Sequence, residues 1–311
     1  MKVAFALQFY YGSAIIECFA RITGCATTLG LEWKLLVNID DSQPAHFRRW
    51  QKLRERIGDR RVELIINDNI HELRAYNAMA RTRTATDSDL VVFLQDDDQP
   101  PQSCEWLKRL VAVASAEPRV GLIGMRRSET PSSGRMMRNS SSCIKSECLC
   151  HRSLGMPVRF VWKVDLAPLA ARPAAFLPEG FPTNWTGVGA PGIGVDHLLS
   201  VLMWERGWSV LHLPSPAGEQ HSFVQVLSRP HGVGNSQGRV REQQWDNLQK
   251  VLSSPRFAFE GSAASKSVDA LNAERTVHCD DGGEGGEWRR VRREHVERKV
   301  DARPQCRLPA S

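Results

Sequence analysis

Short apolar runs separated by amphipathic stretches of helical length fill the first 125 residues. The runs are Val3–Phe9, Leu35–Ile39, Val62–Ile66, Leu90–Leu94 and Val120–Gly124. Near-continuous hydrophobicity of this kind belongs to strands buried on both faces, as in a parallel sheet. Parallel neighbours need a crossover, and a helix supplies it compactly, so the pattern predicts βαβ units. Between the last two runs, Trp106, Leu107, Leu110, Val111 and Ala114 recur at steps of three and four, which puts one apolar helix face on the sheet. Pro100 and Pro101 end the preceding strand and let that helix begin.

The chain is expected to divide as 1–125, a nucleotide-binding half; 126–157, a variable Ser-, Arg- and Cys-containing loop; 158–260, a second half of the same domain; and 261–311, a basic tail of low order. The second half holds most of the tryptophans and one amphipathic helix beginning near Asp196, followed by an edge-like strand over residues 207–214. In the tail, aliphatic density falls and a glycine run precedes Arg289, Arg290, Arg292 and Arg293. With 311 residues, 41% hydrophobic and 24% charged, the chain can bury a sizeable core. Its net charge of +6 is read as a property of the Arg-rich tail more than of a groove, and no nucleic-acid partner is expected. Eight cysteines without CxxC spacing are too sparse for a disulfide scaffold and fit a reducing compartment. Cys143, Cys148, Cys150 and His151 match no zinc spacing. No run reaches the length of a membrane span, so a cytoplasmic chain is expected, with Golgi or other membrane association if the start is incomplete.

The chemistry is concentrated after the fourth run. Leu90–Leu94 leads directly into Gln95-Asp96-Asp97-Asp98, placing carboxylates at the C-terminal end of a buried parallel strand, the edge where open α/β sheets bind ligands. Adjacent carboxylates repel one another unless a cation neutralises them. Hard divalent ions such as Mg²⁺ or Mn²⁺ prefer oxygen ligands and keep positions open for phosphates.

His71-Glu72-Leu73-Arg74-Ala75-Tyr76-Asn77, the strand, Gln95-Asp96-Asp97-Asp98 and Pro100-Pro101 together resemble glycosyltransferase family 2. That family carries a DXD motif after a strand, usually followed by proline. Aligned on the proline, Gln95 stands at the family's first Asp. The resemblance implies a metal on Asp97 and Asp98, with Asp96 and Arg74 among the donor-binding residues; which of the three aspartates ligate stays open. Upstream, Val37-Asn38-Ile39-Asp40-Asp41-Ser42 resembles the family's second strand, where Asp40 or Asp41 would accept hydrogen bonds from the base or ribose.

The second half continues the likeness. Glu179-Gly180-Phe181 resembles the Gly-Gly-Phe turn before the acceptor site, and the helix from Asp196 resembles the family's Glu-Asp helix, with a glycine eleven residues on at Gly207. Val195 stands where Glu is usual and Leu202 where Arg is usual. The resemblance makes Asp196 the catalytic base, set against a plain helix N-cap, and His221 a residue reaching the metal or diphosphate, with His231 competing.

What this implies is a GT-A fold, a Rossmann-like and mostly parallel sheet flanked by helices. The implied activity is transfer of a sugar from a nucleotide-diphosphate sugar to a carbohydrate, lipid or protein hydroxyl, with inversion and with Mn²⁺ or Mg²⁺ as cofactor. Two rivals are a nucleotidyltransferase of related fold and a non-catalytic binding module. The first usually needs a Gly-rich, cationic loop after the first strand, and Gln8-Phe9-Tyr10-Tyr11-Gly12-Ser13 has one glycine and no cation.

Overall fold

A computed structural model describes residues 1–9, 15–40, 44–67, 70, 72–96, 98–101, 103–125, 149–164, 168–177, 179–181, 195–214, 224–225 and 263–279. In chain order the elements are β1 (Lys2–Phe9), α1 (Ile15–Thr28), β2 (Glu32–Ile39), α2 (Pro44–Ile57), β3 (Val62–Ile66), α3 (Glu72–Ala80), α4 (Arg83–Thr86) and β4 (Leu90–Gln95). Then follow β5 (Asp98–Gln99), α5 (Glu105–Ala116), β6 (Val120–Gly124), β7 (Leu149–His151), β8 (Arg159–Phe160), β9 (Leu169–Ala171) and α6 (Pro173–Phe176). The last are α7 (Val195–Glu205), β10 (Ser209–His212), β11 (Val224–Gln225), α8 (Ala263–Arg275) and β12 (Thr276–His278).

Every apolar run read from the sequence is a strand. With β8, β9 and β10 they form an eight-stranded sheet ordered β3-β2-β1-β4-β9-β6-β10-β8, in which β3, β2, β1 and β4 are mutually parallel. Period-2 alternation divides the sheet's faces. Phe5, Leu7 and Phe9 of β1 join Leu35, Val37 and Leu94 under α1, α2 and α5, where Phe19, Trp50, Trp106 and Leu110 are buried. On the other face Ala4, Ala6, Leu36, Val91 and Phe93 meet α3, α6 and α7 through Leu73, Tyr76, Phe176 and Met203. Helices therefore cover both faces, as a parallel sheet requires.

Two sheet positions differ from the sequence expectation. β10, read as edge-like, is interior, parallel to β6 on one side and antiparallel to β8 on the other. β9, too short to show a period, runs antiparallel between β4 and β6, so a strand of the second half is inserted between two of the first.

The C-terminal segment is the larger difference. Low order was expected from residue 261, yet 263–278 forms α8 and β12, and residues 280–311 lie outside the described set. α8 is only weakly amphipathic, so its apolar pattern gave no signal; Val268 is buried and Leu271 meets the core, and polar contacts add to them. Asn272 accepts from Phe160 N–H at 2.9 Å and donates to Phe160 C=O at 2.8 Å, acting as a one-residue strand along the open side of β8. β12 pairs antiparallel with β7. Behind that pair, buried His151 Nε2 lies 2.9 Å from Glu117 Oε1, with Arg275 Nη1 3.9 Å from the same oxygen.

Cysteine usage also departs from the expectation of reduced thiols. Cys25 is bonded to Cys104 and Cys150 to Cys279, with Cα atoms 5.2 and 5.0 Å apart. Such bonds persist in oxidising surroundings. Of the Cys/His cluster weighed for zinc, Cys150 is thus a disulfide and His151 is on Glu117, while Cys143 and Cys148 lie outside the described residues. Among the described residues no helix is long and apolar enough to cross a membrane.

Deleting residues 263–311 removes the Asn272 bonds, the β7–β12 pair and the Cys150–Cys279 crosslink together. The loss is expected to be at least about 2 kcal/mol, the lower end for losing a native disulfide. Denaturant unfolding of the full and shortened chains measures it, and an unchanged midpoint would mean that α8 contributes nothing to the fold.

Candidate active site

β1 has β2 on one side and β4 on the other, so chain order reverses direction at β1/β4. Open α/β sheets form a ligand crevice at such a switch point, beyond the C-terminal strand ends. Register sets what faces it. Gln8 pairs with Asn38 on β2 and with Gln95 on β4, which puts three amides in one row across three strands on the α3 face.

Buried amides in a strand need partners, and these find one another. Asn38 Nδ2 donates to Gln8 Oε1 at 2.8 Å, Gln8 Nε2 donates to Asp40 Oδ2 at 3.1 Å, and Asn67 Nδ2 donates to Asn38 Oδ1. Asp40 Oδ1 accepts from Ile70 N–H at 2.7 Å. Its own N–H donates to Phe9 C=O at 2.9 Å, so β1 and β2 stay in step one residue past the sheet. Asp40 is 3% exposed, and both of its oxygens are engaged within the protein. At the other end of the row Gln95 Nε2 donates to Glu72 Oε1 in the first turn of α3. Arg74, two residues further on, is exposed.

Asp96 follows β4 directly and is partly buried. Beyond it β5 pairs antiparallel with β11, Val224 opposite Gln99 and Gln225 opposite Asp98. Val224 follows His221 by three positions in the sequence. Asp41, Asp97, His221 and His231, and the side chain of Asp98, lie outside the described residues. Among the described residues no three His, Cys, Asp or Glu side chains converge as a metal cluster.

On the second half, α7 begins at Val195, so Asp196 sits within the first helical turn rather than at the cap. It is partly buried, and its backbone carbonyl accepts from Ser200 Oγ at 2.8 Å. Gly207 explains the glycine spacing. At φ +73° it ends α7 in a Schellman motif, with Trp208 N–H on Met203 C=O at 2.9 Å and Gly207 N–H on Trp204 C=O at 3.1 Å.

Beyond the shared sheet, one turn near the site also ties the two halves together. Asn77 of α3 donates Nδ2–H to Phe181 C=O at 2.8 Å and accepts from Phe181 N–H at 2.7 Å. Gly180 has φ +70°, and a Cβ on it would overlap Asn77 Oδ1. Arg81 donates to Glu179 C=O at 3.3 Å, and Arg206 pairs with the Glu179 carboxylate. Beneath the turn, Tyr76, Phe93, Phe176 and Phe181 form a closed ring cluster with centroids 4.9–5.6 Å apart.

No protein-family model matches the sequence, and no curated protein matches it. Solved structures do. The mannosyltransferase PcManGT of Pyrobaculum calidifontis, in complex with GDP-Man and Mn²⁺, superposes with a TM-score of 0.54 at 17% identity, over 95% of this chain and 79% of that one. GalNAc-T7 with UDP, GalNAc and Mn²⁺ gives 0.51 at 11% identity, over 95% of this chain and 54% of that one. This chain has the GT-A fold.

Within the GT-A fold the residues missed from sequence are Gln8, Asn38, Asn67 and Asn77. The signal for the first two was present: each is a polar residue at an inward position near the C-terminal end of an otherwise apolar strand. Asn77 was quoted in a motif without a role, since its partner is 104 residues away.

Asn77→Ala would strand the Phe181 N–H and C=O in the interior. We expect a loss of about 1–3 kcal/mol, the cost of buried unsatisfied backbone groups, measured by denaturant unfolding. Gly180→Ala should also destabilise, through the overlap and the positive φ. Native-like unfolding of both variants would show that the turn is held elsewhere.

Proposed function

We propose that this chain transfers a sugar from a nucleotide-diphosphate sugar to a hydroxyl acceptor, with inversion. The carrying observation is the row Asn38, Gln8 and Gln95 at the switch point, flanked by buried Asp40 and by the acidic turn leaving β4. Asn38 and Gln8 are buried and hydrogen-bonded within the protein, so the row holds Asp40 and the strand ends in fixed positions beside the acidic turn. The GT-A neighbours solved with GDP-Man or UDP and with Mn²⁺ support this reading. Nothing in the fold or in the comparisons favours nucleotidyl transfer or a non-catalytic role.

Asp97 and Asp98 are the proposed metal ligands, with Asp96 toward the donor and His221 near the same turn. The donor set is hard carboxylate oxygen, which fits Mn²⁺ or Mg²⁺. Once bound, the ion would neutralise charge building on the departing diphosphate. The protein's own residues do the rest. Asp40, or Asp41 beside it, orients the nucleoside; Arg74 is the proposed cation for the donor; Asp196 takes the proton from the acceptor hydroxyl as its oxygen attacks the anomeric carbon from the face opposite the leaving group. The Glu179–Phe181 turn, fixed by Asn77, holds the acceptor side. Residues 1–125 and 158–260 would thus act as donor and acceptor halves of one catalytic domain, its acceptor a carbohydrate, lipid or protein hydroxyl.

A thermal-shift panel of nucleotide diphosphates and nucleotide sugars, with and without Mn²⁺, tests the donor class, because a ligand bound only by the folded state raises its stability. Asp97→Ala should abolish the Mn²⁺-dependent part of the shift and leave the unliganded midpoint unchanged; an undiminished shift would refute the metal assignment.

Asp196→Asn should leave donor binding intact and lower turnover by about 100-fold or more, since an amide cannot accept the proton. Its stability cost should stay within about 1 kcal/mol, the worth of one charge in a first helical turn. Near-normal turnover by this variant would place the base elsewhere.

A further inference from the structure

The chain's basic excess is not confined to its Arg-rich end. Residues 44–61 hold seven Lys and Arg against two acidic residues, a net of +5 in a chain whose total is +6. α2 spans most of that stretch, 14 residues or about 21 Å of helix. Its buried side is apolar, with Trp50 and Leu53 packed into the core and Phe47 and Ile57 partly buried beside them. On the opposite side Arg48, Arg49, Lys52 and Arg56 are all exposed. Steps of three and four between Arg49, Lys52 and Arg56 keep them on one stripe, with Arg48 alongside and Glu55 the one anion among them. Arg60 and Arg61 continue the exposed cations past the helix end, the Arg61 guanidinium lying 5.0 Å over the Trp33 ring.

We propose that this face of α2 docks on an anionic phospholipid bilayer. Clustered cations on one helix face suit a flat negative surface, to which each Lys or Arg adds attraction within a Debye length. The face is convex, since the helix lies on the outside of the sheet with its apolar side inward. A single-stranded nucleic acid is held instead in a positive groove floored by stacking aromatics. The aromatics of α2 are turned into the core: Trp50 is fully buried and Phe47 packs against it from the partly buried rim. α2 also begins four residues after Asp40, so its first turn lies at the strand-end edge that carries the candidate site. A bilayer under α2 would have that edge near its surface. The inference does not depend on sugar transfer, and its test involves no turnover.

The test is co-sedimentation of the full chain with vesicles of phosphatidylcholine alone and of phosphatidylcholine with phosphatidylserine in about a 7:3 ratio, at low and high salt. Binding is expected only to the anionic vesicles, with loss as salt shortens the Debye length to about 3 Å at 1 M. The combined variant Arg48→Gln, Arg49→Gln, Lys52→Gln and Arg56→Gln should lower the partition at least about tenfold. Its unfolding midpoint should stay at that of the parent, because all four side chains are exposed. Arg48→Lys, Arg49→Lys and Arg56→Lys together, which keep the charge, should keep the binding. Arg289→Gln, Arg290→Gln, Arg292→Gln and Arg293→Gln together should also leave it in place. Equal binding to both vesicle types, or loss through the C-terminal changes while the α2 variant still binds, overturns the proposal. So does capture of a polyuridine strand without capture of anionic vesicles, which would assign the face to nucleic acid.

Discussion

The structure depends first on the register of β1 between two parallel neighbours. With both faces of β1 covered by helices, any polar group on it must be satisfied sideways, within the sheet's own layer. Gln8 is such a group, and the in-register pairing Gln8–Asn38 is what lets these two amides and Asp40 satisfy one another, while Gln95 on the other side is tied to Glu72. A slip of one residue would turn the whole row to the opposite face and bury amides against Phe5, Leu7 and Phe9. The same constraint therefore sets the fold and puts a polar floor at the point where the sheet's chain order reverses. Polar residues at the C-terminal strand ends do not weaken the core; they are placed where apolar packing is no longer needed and ligand contact begins.

Joining the second half to this floor is a separate problem, because an antiparallel strand, β9, intervenes. Asn77 helps to solve it by binding the N–H and C=O of Phe181, and Asn272 makes the same kind of clamp on the open side of β8 through the N–H and C=O of Phe160. In each case one side-chain amide takes the place of a neighbouring strand. At Asn77 the fit is close enough to demand glycine at position 180, and the ring cluster of Tyr76, Phe93, Phe176 and Phe181 adds the apolar burial that one bidentate pair lacks.

How much was legible follows from what each element is made of. The strands of the first half announced themselves because both their faces are buried, giving continuous apolar runs, and α5 and α7 because one face is. β9 and α8 were illegible for the opposite reason: Leu169–Ala171 is too short to show a period, and α8 is held by Asn272, a disulfide, a strand pair and the two residues Val268 and Leu271 rather than by an apolar stripe. The disulfides could not be read from spacing either, since their partners are 79 and 129 residues apart. At the site, Asp40 and Asp96 were named from motif order and lie at the ends of β2 and β4, the two strands that flank β1. Their fixed surroundings, Gln8, Asn38 and Glu72, stood in quoted motifs without a role, because hydrogen bonding across a sheet is a property of register and leaves no local pattern.

The acidic turn shows why those surroundings matter. Consecutive aspartates repel, and a free loop would relieve that repulsion by spreading into water. Here the turn is bounded on three sides. It leaves β4 at Gln95, whose side chain is tied to Glu72; its last residue, Asp98, pairs with Gln225 of β11; and six residues after Asp98 the chain is covalently fixed, Cys104 being bonded to Cys25 of α1. A short chain with both ends anchored has few ways to separate its charges. Repulsion that movement cannot relieve favours binding of a cation, which is why a segment anchored at both ends suits the metal ligands proposed above.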